Sequence, residues 1–301
     1  MHYLGLDIGG TKMEAVLLSA QGDYLWRKRQ PTQKESYAEF MLHLVSLIDD
    51  ARAASPEPFT VGVGLPGAID PQTGLIKNCN CLVLNGHDLK ADLAERIRQP
   101  VWIANDADCF TLSEAVDGAG AKADTVFGVI IGTGCGGGIA VRRHLLQGPN
   151  AIAGEWGHNP LPGYAPAIDG PAQPCYCGKH NCIESFISGT GFARRFPGNL
   201  TSQEIINAAE QGDPKAREHW RHFIDAFARS LASVINILDP QVIVLGGGLS
   251  NVSRIYDDLP VAIISYLFSE TCYTRIVPAR FGDASGVRGA AWLPRLNANE
   301  T

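Results

Sequence analysis

Cys175, Cys177 and Cys182 fall within eight residues of one another, and His158 stands upstream in Gly154-Glu155-Trp156-Gly157-His158. A Cys3His set suits tetrahedral Zn2+, and four protein ligands leave no open coordination position, so the metal it predicts is structural rather than catalytic. The Cys-x-Cys spacing is tighter than a common zinc-finger knuckle, and Gly178 gives the loop freedom to curl around an ion. His180, between the second and third cysteines, is a competing ligand.

Glycine-rich segments offer a second kind of chemistry. Successive backbone N–H groups in a turn without Cβ atoms converge on anions such as phosphate. Three such segments occur, at Gly9-Gly10, at Gly132-Thr133-Gly134-Cys135-Gly136-Gly137-Gly138 and at Gly246-Gly247-Gly248. Asp7 precedes the first and supplies a carboxylate able to hold Mg2+ through water. None of the three is a Walker loop or a complete dinucleotide-binding fingerprint. Farther on, Val101-Trp102-Ile103-Ala104-Asn105 reads as a strand ending at Asp106, with Asp108 two residues later. A carboxylate at the carboxyl end of a strand lies where open α/β sheets place their ligands, and either aspartate could act as a general base; an Asn-Asp pair is also a common helix cap.

The elements that position these groups alternate between strands and helices. Strands are expected at residues 3–8, 13–18 and 24–29, with Gly9 to Lys12 as the first turn. The same grammar returns as a strand at 125–131, a turn spanning 132–138 and a strand starting at Ile139, which points to two similar halves facing each other. Asp213-Pro214 opens a long helix whose Trp220, Phe223, Ile224, Phe227, Leu231, Val234, Ile235 and Leu238 recur at intervals of three and four. Thr201-Ser202-Gln203-Glu204 has capping-box form, residues 160–174 read as a loop, and residues 241–245 read as a buried strand. The fold class is therefore α/β.

Composition bounds the partners. The chain is 45% hydrophobic and 19% charged with net charge -6, and no stretch concentrates Lys and Arg as a nucleic-acid surface requires. No uninterrupted apolar span approaches the ~20 residues of a membrane helix, and the first residues show no basic-then-apolar leader. Eight cysteines in that setting read as thiols or ligands, and a cytoplasmic location is expected.

Taken jointly, the motifs resemble the ROK family (repressors, open reading frames, kinases). The run is Asp7-Ile8-Gly9-Gly10-Thr11-Lys12, Gly64-Leu65-Pro66-Gly67, Asn105-Asp106, the turn from Gly132, the Glu155-x-Gly157-His158 segment, the cysteine loop through Glu184 and Leu245 to Gly248. The resemblance covers essentially the whole chain. It implies an actin-like (ribonuclease H-like) two-domain sugar kinase with ATP and sugar in an interdomain cleft. The smaller N-terminal domain would comprise 1–118 with 287–301, and the larger C-terminal domain, carrying the zinc loop, 119–286. Asp106 is implied as catalytic base, and Asn105, Asp106, Glu155, His158 and Glu184 as sugar ligands. ATP would be held by Gly5, Leu6, Asp7, Ile8, Gly9, Gly10, Thr11 and Lys12, by Gly132, Thr133, Gly134, Cys135, Gly136, Gly137, Gly138 and Ile139, and by Gly246, Gly247 and Gly248. Mg2+ would accompany ATP, structural Zn2+ would sit on His158, Cys175, Cys177 and Cys182, and a homodimer is in keeping with the family. Asn181 stands where the family usually has Gly; Asn tolerates left-handed backbone, so the zinc loop is expected to survive.

Four stretches resemble bacterial fructokinases, which also act on mannose: Lys77-Asn78-Cys79-Asn80, Leu84-Asn85-Gly86, Gly157 to Pro162 and Glu184 to Phe192. N-acetylglucosamine kinases are near relatives and form the alternative reading. Sugar-responsive repressors of the family carry a helix-turn-helix before the first glycine turn; here the first strand is expected at residue 3, which disfavours a regulator.

Overall fold

In a computed structural model that describes residues 1–297, the chain forms two compact units. One comprises Met1–Lys122, Gly138–Ala153 and the segment from Arg280 onward; the other comprises Ala123–Gly137 and Gly154–Ala279. In chain order the elements are β1 (His2–Ile8), β2 (Lys12–Leu18), β3 (Tyr24–Pro31), α1 (Tyr37–Ala54), β4 (Phe59–Leu65), β5 (Ala68–Ile69), β6 (Ile76–Lys77), α2 (Leu89–Ile97), β7 (Val101–Asn105) and α3 (Asp106–Val116). There follow β8 (Thr125–Ile131), β9 (Cys135–Val141), β10 (His144–Leu145), α4 (Pro166–Asp169), α5 (Glu184–Ile187), α6 (Gly189–Arg194), α7 (Ser202–Glu210), α8 (Pro214–Leu238), β11 (Val242–Gly246), α9 (Ile255–Ile264), β12 (Arg275–Pro278) and α10 (Ser285–Asn297).

The first sheet has the order β3-β2-β1-β4-β7, with β2 antiparallel to both neighbours and β4 parallel to β1 and β7. Side chains alternate across it as strand geometry requires. Met13, Ala15 and Leu17 face a core shared with α1 and α2, while Val16 and Leu18 face Leu112, Val287, Ala291 and Trp292 of α3 and α10. Apolar residues on both faces of β2 therefore follow from helices covering both faces. Helix α10 lies directly on β1 because Gly5 has no side chain; a Cβ there would meet Ala291 N at 2.6 Å. Its start is fixed by Glu114 of α3, whose fully buried carboxylate accepts from Arg280 N, Phe281 N and Ser285 Oγ.

The second sheet repeats that order as β10-β9-β8-β11-β12, with β11 parallel to β8 and β12. Helix α8 begins as the sequence predicts: Asp213 accepts from Ala216 N at 2.7 Å and Pro214 occupies the first turn. It stops where Asp239 turns left-handed, with φ 47°, ahead of Pro240. The capping box at Thr201 and Glu204 forms as expected. The 160–174 loop holds one helical turn that local pattern does not reveal, α4. Asp169 ends that turn, bonds back to Ala165 N, and pairs with Arg229 of α8, which also donates to Pro162 O. Among the described residues no helix is long and apolar enough to cross a membrane.

Candidate active site

In the first unit the candidate residues lie at the carboxyl ends of β1, β4 and β7. Asp7 stands opposite Glu14 on β2 and Gly64 on β4. Burial, then the charges of Asp106 and Glu14, push its carboxyl up to about 6, with Lys12 and Arg29 pulling the other way. Glu14 is itself buried and holds Arg27 and, at 2.7 Å, Arg29. The first turn is closed by Gly9 N donating to Lys12 O at 2.9 Å and braced by Thr32 Oγ1 on Gly9 O at 2.7 Å. Gly10 has open space where a side chain would be, so that backbone stays accessible.

Asn105 ends β7 and caps α3: its Oδ1 accepts from Ala107 N at 2.8 Å and its Nδ2 donates to Gly67 O at 3.0 Å. Asp106 is the first residue of α3, and its Oδ1 also accepts from Ala107 N. Asn-Asp is thus both the helix cap and the strand end that the sequence left open. Asp108 belongs to the same first turn. Gly67 packs on Cys79, Asn80 N donates to Pro66 O at 3.1 Å, and Asn85 bonds Cys79 N and O at 2.9 and 3.0 Å. Residues 64–67, 77–80, 84–86 and 105–106 are far apart in sequence and form one hydrogen-bonded cluster.

The second unit brings the other two glycine segments together. The turn from Gly132 is shorter than the sequence predicts: Gly132 N donates to Gly134 O at 3.0 Å, and strand β9 already begins at Cys135 rather than Ile139. Gly137 lies within that strand for close packing, because a Cβ there would meet Trp156 Cδ1 at 2.7 Å. Trp156 fills the space and donates to Gly136 O at 3.2 Å. Beside the turn, Gly247 adopts φ 83°, a conformation open to glycine, and lies against Ile131 and Gly132 N.

Glu184 opens α5, and its Oε2 accepts from Cys135 N at 2.9 Å, so a residue implied as a sugar ligand also braces the glycine turn. Residues 188–190 received no role from the sequence, yet they dock on the same turn: Gly189 N donates to Gly132 O at 2.7 Å and Thr190 Oγ1 donates to Thr133 O. The available signal was a Ser-Gly-Thr-Gly run at a helix start, where Ser188 caps α6.

His158, Cys175, Cys177 and Cys182 converge, with their ligand atoms all within 4.8 Å of one another, and His180 lies outside the group. His158 Nδ1 is 3.6 Å from Cys175 Sγ, and Cys177 and Cys182 Sγ are also 3.6 Å apart. A tetrahedral ion with bonds of ~2.3 Å to sulfur separates its ligands by about 3.7 Å, so the donor set fits Zn2+. Gly178 has φ 86° and Asn181 φ 57°, the left-handed conformation the family's Gly implies. Asn181 Oδ1 also accepts from Gln173 N at 2.8 Å, a bond Gly could not make. The outer nitrogen of His158, Nε2, is 3.0 Å from Tyr176 Oη.

Comparison with known proteins matches the "ROK family" over residues 3–296. An N-acetyl-D-glucosamine kinase of Yersinia pseudotuberculosis is 40% identical over 298 residues, covering 97% of this chain and 98% of its own. The crystal structure of a ROK hexokinase from Thermus thermophilus is similar with TM-score 0.89 at 28% identity, covering all of both chains. A ROK glucokinase from Streptomyces griseus, solved with glucose and AMPPNP, gives TM-score 0.76 at 25% identity over 98% of this chain and all of its own. These likenesses span both units and every motif described above, and the chain belongs to the ROK family.

Proposed function

We propose that the chain is an ATP-dependent hexose kinase that phosphorylates the 6-hydroxyl of D-fructose, with mannose and glucose as weaker substrates. The observation that carries the kinase reading is the crowding of Asp7 and Asp106 beside an open glycine turn, in a chain 40% identical to a curated sugar kinase. Phosphoryl transfer asks little covalent work of a protein, so positioning and charge neutralisation dominate. Asp106 accepts the proton of the attacking hydroxyl. Backbone N–H groups of the turns at Gly9-Gly10 and Gly132 to Gly134 hold phosphate oxygens, with residues 246–248 toward the adenosine. Asn105, Glu155, His158 and Glu184 bond the other hydroxyls.

Mg2+ bound with ATP neutralises phosphate charge, and Asp7 is the residue that would hold it through water. The donor chemistry fits: a carboxyl forced up to about 6 by burial and two neighbouring carboxylates gains from a divalent cation. Zn2+ on His158, Cys175, Cys177 and Cys182 would fix the loop that presents His158. The free state of all eight cysteines suits a reducing compartment, the cytoplasm.

Fructose is supported by the stretches at 77–80, 84–86, 157–162 and 184–192, which carry the fructokinase resemblance; the first two belong to the hydrogen-bonded cluster around Asn105, and Glu184 of the last accepts from Cys135 N. N-acetylglucosamine is the second reading, favoured by the activity named for the relative from Yersinia pseudotuberculosis. Sugar-dependent ADP release, measured as kcat/KM for both sugars, separates them. A higher value for the acetylated sugar overturns the fructose assignment and leaves the kinase assignment standing.

A further inference from the structure

His158 has two ring nitrogens, and the structure gives each a different neighbour. Nδ1 faces the cysteine group, 3.6 Å from Cys175 Sγ. Nε2 is 3.0 Å from the phenol oxygen of Tyr176, and the two rings meet edge to face with centroids 5.2 Å apart at 88°. A neutral imidazole with one nitrogen spent on a metal carries its proton on the other. Nε2–H then donates to the Tyr176 oxygen, and the phenol hydrogen is left to point outward.

Tyr176 is not placed there to build a core. Its side chain is 83% exposed, whereas Trp156, two residues before His158, is 5% exposed. Its hydroxyl end turns instead to the His158 ring. The backbone that carries it is a tight turn, with Gly178 N on Cys175 O at 3.0 Å and Cys175 N on Lys179 O at 2.9 Å, and two of the converging thiols flank it in sequence. Backbone position is thus fixed on both sides, and the ring is free to move only about its own side-chain bonds.

A ring nitrogen makes one in-plane hydrogen bond. Any sugar group bonded to His158 Nε2 must therefore share or take the space now held by the Tyr176 hydroxyl. A hydroxyl is small enough to slip beside the phenol and accept its hydrogen. Where that carbon carries an acetamido group instead, its carbonyl and methyl would meet the ring.

We propose that Tyr176 is a specificity-determining residue, whose phenol, held on His158, admits a sugar hydroxyl and excludes an acylamino substituent. The inference rests on the kinase reading above. It goes further by naming a residue that sets the preference between plain and acylated hexoses. One substituent in a pocket is worth roughly 10- to 200-fold in kcat/KM, which sets the size of the effect.

The test measures kcat/KM for fructose and N-acetylglucosamine in wild type, Tyr176→Gly and Tyr176→Phe, with zinc content of each. Tyr176→Gly, with zinc retained, should shift the ratio toward the acetylated sugar by at least ~10-fold. Tyr176→Phe keeps the ring and should move the ratio by no more than the ~5-fold by which one lost hydrogen bond raises KM for fructose, with kcat little changed. A ratio unmoved in zinc-loaded Tyr176→Gly overturns the inference. Should Tyr176→Gly lose zinc, Tyr176→Phe decides alone: an unchanged KM for fructose overturns it. A wild type that prefers the acetylated sugar contradicts the fructose reading only, since Tyr176 is judged by the change in ratio between wild type and variant. A wild type that phosphorylates no hexose overturns both.

Discussion

Replacing Asp7 by Asn should make the protein more stable and nearly inactive at once. The Asp7 carboxyl is pushed from 3.8 to about 6 by burial and by the charges of Asp106 and Glu14, against the partial relief of Lys12 and Arg29. A folded-state value above the unfolded one means that the folded chain binds the proton more tightly. Stability linked to Asp7 is therefore fully present below pH 3.8, is lost as pH rises through about 6, and stays lost above. The shift corresponds to about 3 kcal/mol of destabilisation by the ionised group at pH 7.5, and to about half of that at pH 5. Asn is isosteric and uncharged, so it removes this cost. In domains of 150–250 residues one kcal/mol moves Tm by ~2–4 °C, which gives a gain of up to about 10 °C at pH 7.5. Thermal unfolding of the Mg2+-free, ATP-free protein at pH 5 and 7.5 reads the effect, and steady-state turnover of the same samples should fall at least ~10²-fold, as for loss of a charge that serves the transition state. A variant no more stable than wild type at pH 7.5, or equally favoured at both pH values, would refute the argument.

Asp106→Asn should leave ATP and sugar binding intact while kcat falls at least ~10²-fold, and Asp108→Asn should be far milder; a larger loss at Asp108 would move the general base. Cys177→Ser should lose the zinc that metal analysis of wild type finds at about one per chain, with stability and sugar binding falling together, since structural zinc is worth on the order of 10 kcal/mol in small peptides. Zinc-free wild type prepared without chelators contradicts the metal assignment. Arg229→Ala leaves Asp169 buried without its partner and should cost about 3–5 kcal/mol in denaturant unfolding, whereas a loss under ~1 kcal/mol means that the pair is solvated.

Much of this arrangement is written locally. Asp213-Pro214 caps a helix whatever surrounds it, Thr201 and Glu204 satisfy each other's backbone, and Asn181 carries the left-handed turn expected of an Asn standing in for Gly. The first hairpin and the strand at 125–131 also follow from short-range pattern. Other features depend on partners distant in sequence. Glycines 136 and 137 read as a turn, because nothing local reveals that Trp156 needs the space beside a strand. The helix at 285–297 does its work by lying on Gly5, some 280 residues earlier, and that demand leaves no periodic trace around Gly5 itself. Glu114 gathers three chain segments around one buried carboxylate, and its sequence neighbours give no hint of it. Of the site, ligand types were legible from spacing; the bracing of the Gly132 turn by Glu184 and Thr190, and of His158 by Tyr176, was not.

The most direct test of the account is product analysis of the zinc-loaded wild type incubated with ATP, Mg2+ and fructose. Fructose 6-phosphate should form in equal amount with ADP, and Asp106→Asn, folded and zinc-loaded alike, should form less than ~1% as much in the same time. ADP release without a phosphorylated sugar, or no phosphorylation of any hexose by folded, zinc-loaded protein, would contradict it.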